Sequence, residues 1–145
     1  MTRIFTLLCL LLTAASCEVL EEDISGDKVE AIAPADGMEV AAGETHFRWR
    51  ALDYATQYEF TLVESSFAAV RRVVCDTLIR ADTLGAARSY GCRVTLAAGT
   101  YQWRVTACNG GYASTPAVQT LFVVEPEPEP DPAPDDPQPT AAWKP

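Results

Sequence analysis

Tyr101-Gln102-Trp103-Arg104-Val105-Thr106-Ala107 alternates apolar and polar side chains at a strict period of two. Successive residues of a β-strand point to opposite faces, so Tyr101, Trp103, Val105 and Ala107 share one side and Gln102, Arg104 and Thr106 the other. A helix would scatter both sets around its axis. The stretch therefore predicts an antiparallel strand with one face on a core and the other in water.

The same pattern recurs on the N-terminal side. Thr45-His46-Phe47-Arg48-Trp49 places Phe47 and Trp49 together, and Tyr58-Glu59-Phe60-Thr61-Leu62 does so for Tyr58, Phe60 and Leu62. Weaker runs cover Val29 to Ala33, Ala69 to Cys75, Cys92 to Leu96 and Val118 to Val124. Gly, Pro and Asp interrupt them at intervals of roughly ten residues, the spacing of an all-β domain. The expectation is one seven-stranded antiparallel sandwich over residues 28–124, with a disordered N-terminal tether and a disordered Pro/acidic C-terminal tail.

The net charge of -9 belongs to the flanks of that domain. Residues 28–124 hold nine acids and nine bases, whereas residues 18–27 and 125–136 contain acids and no bases. Such runs are solvated and extended, which argues against a nucleic-acid partner.

Arg3, the apolar run from Ile4 to Leu12 and the small residues Ala14-Ala15-Ser16 have the layout of an export signal over residues 1–16, too short to span a bilayer. Because this stretch ends at Cys17, it resembles the lipobox of bacterial lipoproteins, with Ala14 where that pattern usually has Leu. The resemblance implies that the leader is cleaved before Cys17 and that Cys17 carries lipid, attaching the chain to the outer membrane on its periplasmic or outer side. A soluble secreted chain with an unmodified Cys17 is the alternative. Glu18-Val19-Leu20-Glu21-Glu22-Asp23 resembles the surface-export signal of Bacteroidota lipoproteins, so residues 17–27 are expected to form a lipidated acidic tether.

Ala33-Pro34-Ala35-Asp36-Gly37, Phe47-Arg48-Trp49, Ala55 with Tyr58, and the run from Leu96 to Ala107 resemble the fibronectin type III pattern of bacterial surface proteins. The likeness spans residues 28–124 and implies a fibronectin type III-like or immunoglobulin-like sandwich with a binding role. The opening Ala-Pro-Ala-Asp-Gly also resembles the first domain of starch-binding outer-membrane lipoproteins in glycan-uptake systems.

No catalytic constellation emerges. His46, the single histidine, sits mid-strand without a nucleophile near it in sequence, and reads as an exposed strand residue. Cys75, Cys92 and Cys108 lack the Cys-x-x-Cys spacing of a zinc site, so neither a metal nor a cofactor is expected. Phe47, Trp49, Tyr58, Phe60, Tyr101 and Trp103 read as core. Tyr54, Tyr90, Asn109 and Tyr112 fall in connections and are the candidate ligand-facing residues.

With the strand order that the fibronectin resemblance implies, connections 50–57, 76–91 and 108–117 share one pole with the start of the first strand. Residues 18–27 would then hold that pole within about 35 Å of Cys17. In the same frame Cys75, Cys92 and Cys108 lie near one another. Cys92 is in phase with Val94 and Leu96 and points inward, whereas Cys108 is out of phase with Trp103 and Val105 and points outward. The expected disulfide joins Cys75 to Cys92, stabilising the fold by about 3 kcal/mol and leaving Cys108 free for an intermolecular bridge.

Glu125-Pro126-Glu127-Pro128-Glu129-Pro130-Asp131-Pro132 opens a disordered polyproline-rich tail over 125–145. The expectation is a non-enzymatic cell-envelope lipoprotein, attached to the membrane through Cys17, whose sandwich binds an envelope protein. The alternative is a glycan-binding accessory of a polysaccharide-uptake system.

Overall fold

The computed structural model describes residues 21–82, 84–126 and 128. The leader, Cys17 with its proposed lipid, and nearly all of the acidic tail lie outside the described residues. Eight strands follow in order among those described: β1 (Ala31–Ala33), β2 (Met38–Ala41), β3 (Gly43–Arg50), β4 (Gln57–Ser66), β5 (Ala69–Arg80), β6 (Ser89–Leu96), β7 (Gly99–Cys108) and β8 (Ala117–Val124). They form a three-stranded sheet, β1-β3-β6, facing a five-stranded sheet, β2-β8-β7-β4-β5. This is an all-β sandwich of two sheets.

One strand more than expected arises at the first edge. Pro34 has no N–H with which to continue a ladder, so β1 stops at Ala33 and the chain crosses to the other sheet. There the Gly37 N–H donates to the Thr120 carbonyl at 2.8 Å and the Thr120 N–H donates to Asp36 Oδ1 at 2.7 Å. Gly37 has φ +72°, a conformation that favours glycine. The crossing delivers β2 parallel to β8, so the sandwich is not wholly antiparallel.

Between the sheets the alternation of β3, β4 and β7 assembles an aromatic core. Phe47, Trp49, Tyr58, Phe60, Tyr101 and Trp103 are all buried. The Trp49 and Phe60 rings stack with centroids 5.7 Å apart, and Phe47 meets Trp103 edge-on at 5.5 Å. Each such ring removes 150–250 Å² or so from water, a driving force of roughly 25 cal/mol per Å².

The expected tether differs from the structure. From Glu21 onward the chain lies on the domain: Ile24 is fully buried in the core, and the Thr115 N–H donates to the Asp27 carbonyl at 2.8 Å. A single isoleucine in an acidic stretch gave no periodic signal, and its burial accompanies hydrogen bonds that Glu21, Glu22 and Ser25 accept from the β7–β8 connection.

Candidate interaction surfaces

Connections 51–56, 81–88 and 109–116 do share one pole, since Arg50 pairs with Ser89 in one sheet while Gln57 pairs with both Arg80 and Cys108 in the other. The N-terminal segment closes over this pole. Asn109 is committed to structure there: its Oδ1 accepts from the N–H groups of Gly111 (3.1 Å) and Tyr112 (2.8 Å), and its Nδ2 donates to the Glu22 carbonyl (2.8 Å). Glu21 Oε2 accepts a further bond from the Gly111 N–H at 2.8 Å.

The candidate tyrosines divide. Tyr54 is 69% exposed in the β3–β4 connection and Tyr112 is 41% exposed in the β7–β8 connection. Tyr90 is not in a connection. It belongs to β6, its ring lies 4.8 Å from Tyr58, and its hydroxyl accepts from the Asp82 N–H. Strand pairing of Arg48 with Gly91 carried β6 further toward the pole than its apolar pattern indicated.

Asp82 organises the neighbouring loop. Its carboxylate accepts from the N–H groups of Leu84 at 3.0 Å and Ala86 at 3.1 Å, and these bonds hold its pKa below the ordinary 3.8. Hydrogen bonds to the charged form favour ionisation.

A second surface lies on the outer face of the five-stranded sheet. The β4–β5 ladder shifts register between Leu62 and Val63 and again between Glu64 and Ser65, where Ser65 has φ +80°. Such irregularities bend and twist a strand. They carry the hairpin tip over the sheet, where the Phe67 N–H donates to Gln102 Oε1 at 2.9 Å and the Arg104 guanidinium sits 4.7 Å from the Phe67 ring centroid. The result is a concavity of about 600 Å³ lined by Val63, Phe67, Val70, Val73, Leu78 and Arg104, with Glu59 and Asp76 at its polar side. Val70, Val73 and Leu78 are each about half exposed.

Sequence reasoning missed this surface because β5 reads Val70-Arg71-Arg72-Val73-Val74-Cys75-Asp76-Thr77-Leu78-Ile79, a run whose phase the register shifts interrupt. Ladder partners resolve it. Val73 faces outward beside Val63, while Val74, Cys75 and Ile79 pack on the core.

All three described cysteines are free thiols. Cys75 and Cys92 are half-buried. Cys108 takes the expected outward phase but is only 8% exposed, because the chain doubles back beside it and pairs Cys108 with Ala113. It is therefore not the open thiol expected for an intermolecular bridge. Burial raises the pKa of all three, with Asp76 adding to the shift at Cys75 and Glu59 at Cys108. His46 is exposed on the outer face of the three-stranded sheet. Among the described residues no group of three or more His, Cys, Asp or Glu is placed to hold a metal ion.

No protein-family model matches the chain, and no curated protein matches it. Solved structures do. A cell-surface-expressed multi-modular chitinase, ChiW, from Paenibacillus sp. str. FPU-7 is similar over 70% of this chain at 16% identity, with a TM-score of 0.43. The chain spans 9% of that enzyme's length. A mutant of FN3tt is similar over 64% of this chain and 84% of its own, at 18% identity and a TM-score of 0.36.

Proposed function

We propose that this protein is a non-catalytic binding module of the cell envelope, held to the outer membrane by lipid on Cys17, which engages an extended segment of a partner protein. The observation that carries this reading is the concavity on the outer sheet face, where exposed Val70, Val73 and Leu78 surround Phe67. Beside it β5 runs for 12 residues as the outermost strand of its sheet. An extended segment can add to such an edge through backbone hydrogen bonds while its side chains enter the adjoining surface. The charged rim of Arg104, Glu59 and Asp76 would set its register.

Orientation supports the same choice. If Cys17 is lipidated, only residues 18–20 separate it from Glu21, which is fastened to the β7–β8 connection. That span reaches at most about 14 Å. The loop pole is then turned toward the bilayer, and the sheet face stays open at the side.

A photo-crosslinking side chain introduced at Leu78 in intact cells tests the proposal. The expected product is one envelope protein, captured from position 78 but not from Tyr54, and lost with Val73→Asp. A glycan that binds the purified domain, with affinity abolished by Tyr54→Ala and Tyr112→Ala, would overturn it in favour of the glycan reading. The two exposed rings at the loop pole are what favour that second reading.

A further inference from the structure

β5 and β6 are the outermost strands of the two sheets on the same side of the sandwich. The opposite side is closed by the chain itself, which passes from β1 in one sheet to β2 in the other. On the β5–β6 side the chain crosses only at the loop pole, through the connection from Arg80 to Ser89, and each of these edge strands carries one half-buried cysteine farther along.

Register places the two at the same height. In the five-stranded sheet Trp103 pairs with Leu62 and Leu62 with Cys75, while in the three-stranded sheet Phe47 pairs with Cys92. The two rows meet face to face, because the Phe47 ring lies 5.5 Å from Trp103. Each cysteine thus ends its row on the β5–β6 side, and both pack on the same core. Their proximity has an electrostatic trace: burial pushes the Cys92 thiol up to about 12, and Cys75 is the second cause.

We infer that Cys75 and Cys92 are a redox pair whose disulfide clasps the two sheets along this edge. Both are free thiols in the structure. Oxidation requires a small disulfide or a thiol–disulfide oxidoreductase, the class of oxidant met in an extracytoplasmic compartment, so the physiological setting rests on the export reading above. The Cys75 thiolate attacks one sulfur of the oxidant, forming a mixed disulfide and expelling one thiolate, which takes up the proton lost by Cys75. The Cys92 thiolate then attacks the Cys75 sulfur and expels the second thiolate, which takes up the Cys92 proton. Two thiols are oxidised and one disulfide is reduced. Cys75 reacts first because Cys92 is the harder of the two to ionise.

The clasp bears on the proposed binding surface, since β5 supplies Val70, Val73 and Leu78 to it. Tying β5 to the three-stranded sheet would hold that surface in one shape.

Purified protein treated with excess oxidised glutathione and mapped by mass spectrometry without reduction tests this inference independently of any partner or membrane. The expected result is a peptide joining Cys75 to Cys92, with the melting temperature raised by about 10 °C and returned by dithiothreitol. Cys92→Ser should accumulate glutathione on Cys75, whereas Cys75→Ser should leave Cys92 unmodified. Two alkylatable thiols after exhaustive oxidation of the wild type, or a peptide joining Cys108 to either residue, would overturn it.

Discussion

The Glu21 carboxylate accepts a hydrogen bond from the Gly111 N–H at 2.8 Å across a sequence separation of 90 residues. A side chain in an acidic run that reads as spacer is therefore part of the fold, and a Cβ placed on Gly110 would meet this same carboxyl group. The contact seals the loop pole and leads the chain to Ile24, which is fully buried.

Ile24→Ala should accordingly destabilise the domain by about 2–4 kcal/mol, the range for truncating a buried isoleucine. A free tether would show no change. Urea denaturation of the two proteins decides between them, with equal midpoints counting against the docking of residues 21–28.

Gly91→Ala tests the close approach of β3 and β6. The new Cβ would strike the Phe47 carbonyl oxygen, a backbone atom that no rotamer change can move. A loss of about 2 kcal/mol is expected, as for overpacking elsewhere in proteins. A thermal scan showing a wild-type midpoint would refute this account of the glycine.

Acid should loosen the β5–β6 connection. Asp82 has a folded-state pKa below its ordinary 3.8, so its bonds to Leu84 and Ala86 contribute fully above that pH and are lost as pH falls through the lowered value. The Leu84 and Ala86 amide resonances should therefore titrate with a midpoint below 3.8, and Asp82→Asn should abolish that transition. A midpoint at the ordinary aspartate value would show that these bonds are not kept in solution.

Leu78→Asp separates binding from folding. Its side chain is 51% exposed on the outer sheet face, so stability should shift by no more than about 0.5 kcal/mol. Capture of the partner by a crosslinker on Phe67 should nevertheless fail. Undiminished capture would remove the sheet face from the proposed interface.

The sequence by itself determined the fold class and the inner faces of the main strands. Period-two alternation in Thr45–Trp49, Tyr58–Leu62 and Tyr101–Ala107 is a local property, and burying one face of each strand leaves few ways to pack them. The common pole of the three long connections was legible only through the strand order that the fibronectin resemblance implies. Three matters were decided only in the tertiary structure. Pro34 and Gly37 divided the first strand between two sheets by contacts with Thr120. Ile24 was buried as its neighbours docked on residues some 90 positions away, Glu21 on Gly111 and Ser25 on Thr115. The register shifts in the β4–β5 ladder assigned Val73 and Leu78 to the outside and Cys75 to the core. Each depends on which backbone lies alongside, and a bulge changes the phase of every following side chain without leaving a mark in composition or periodicity.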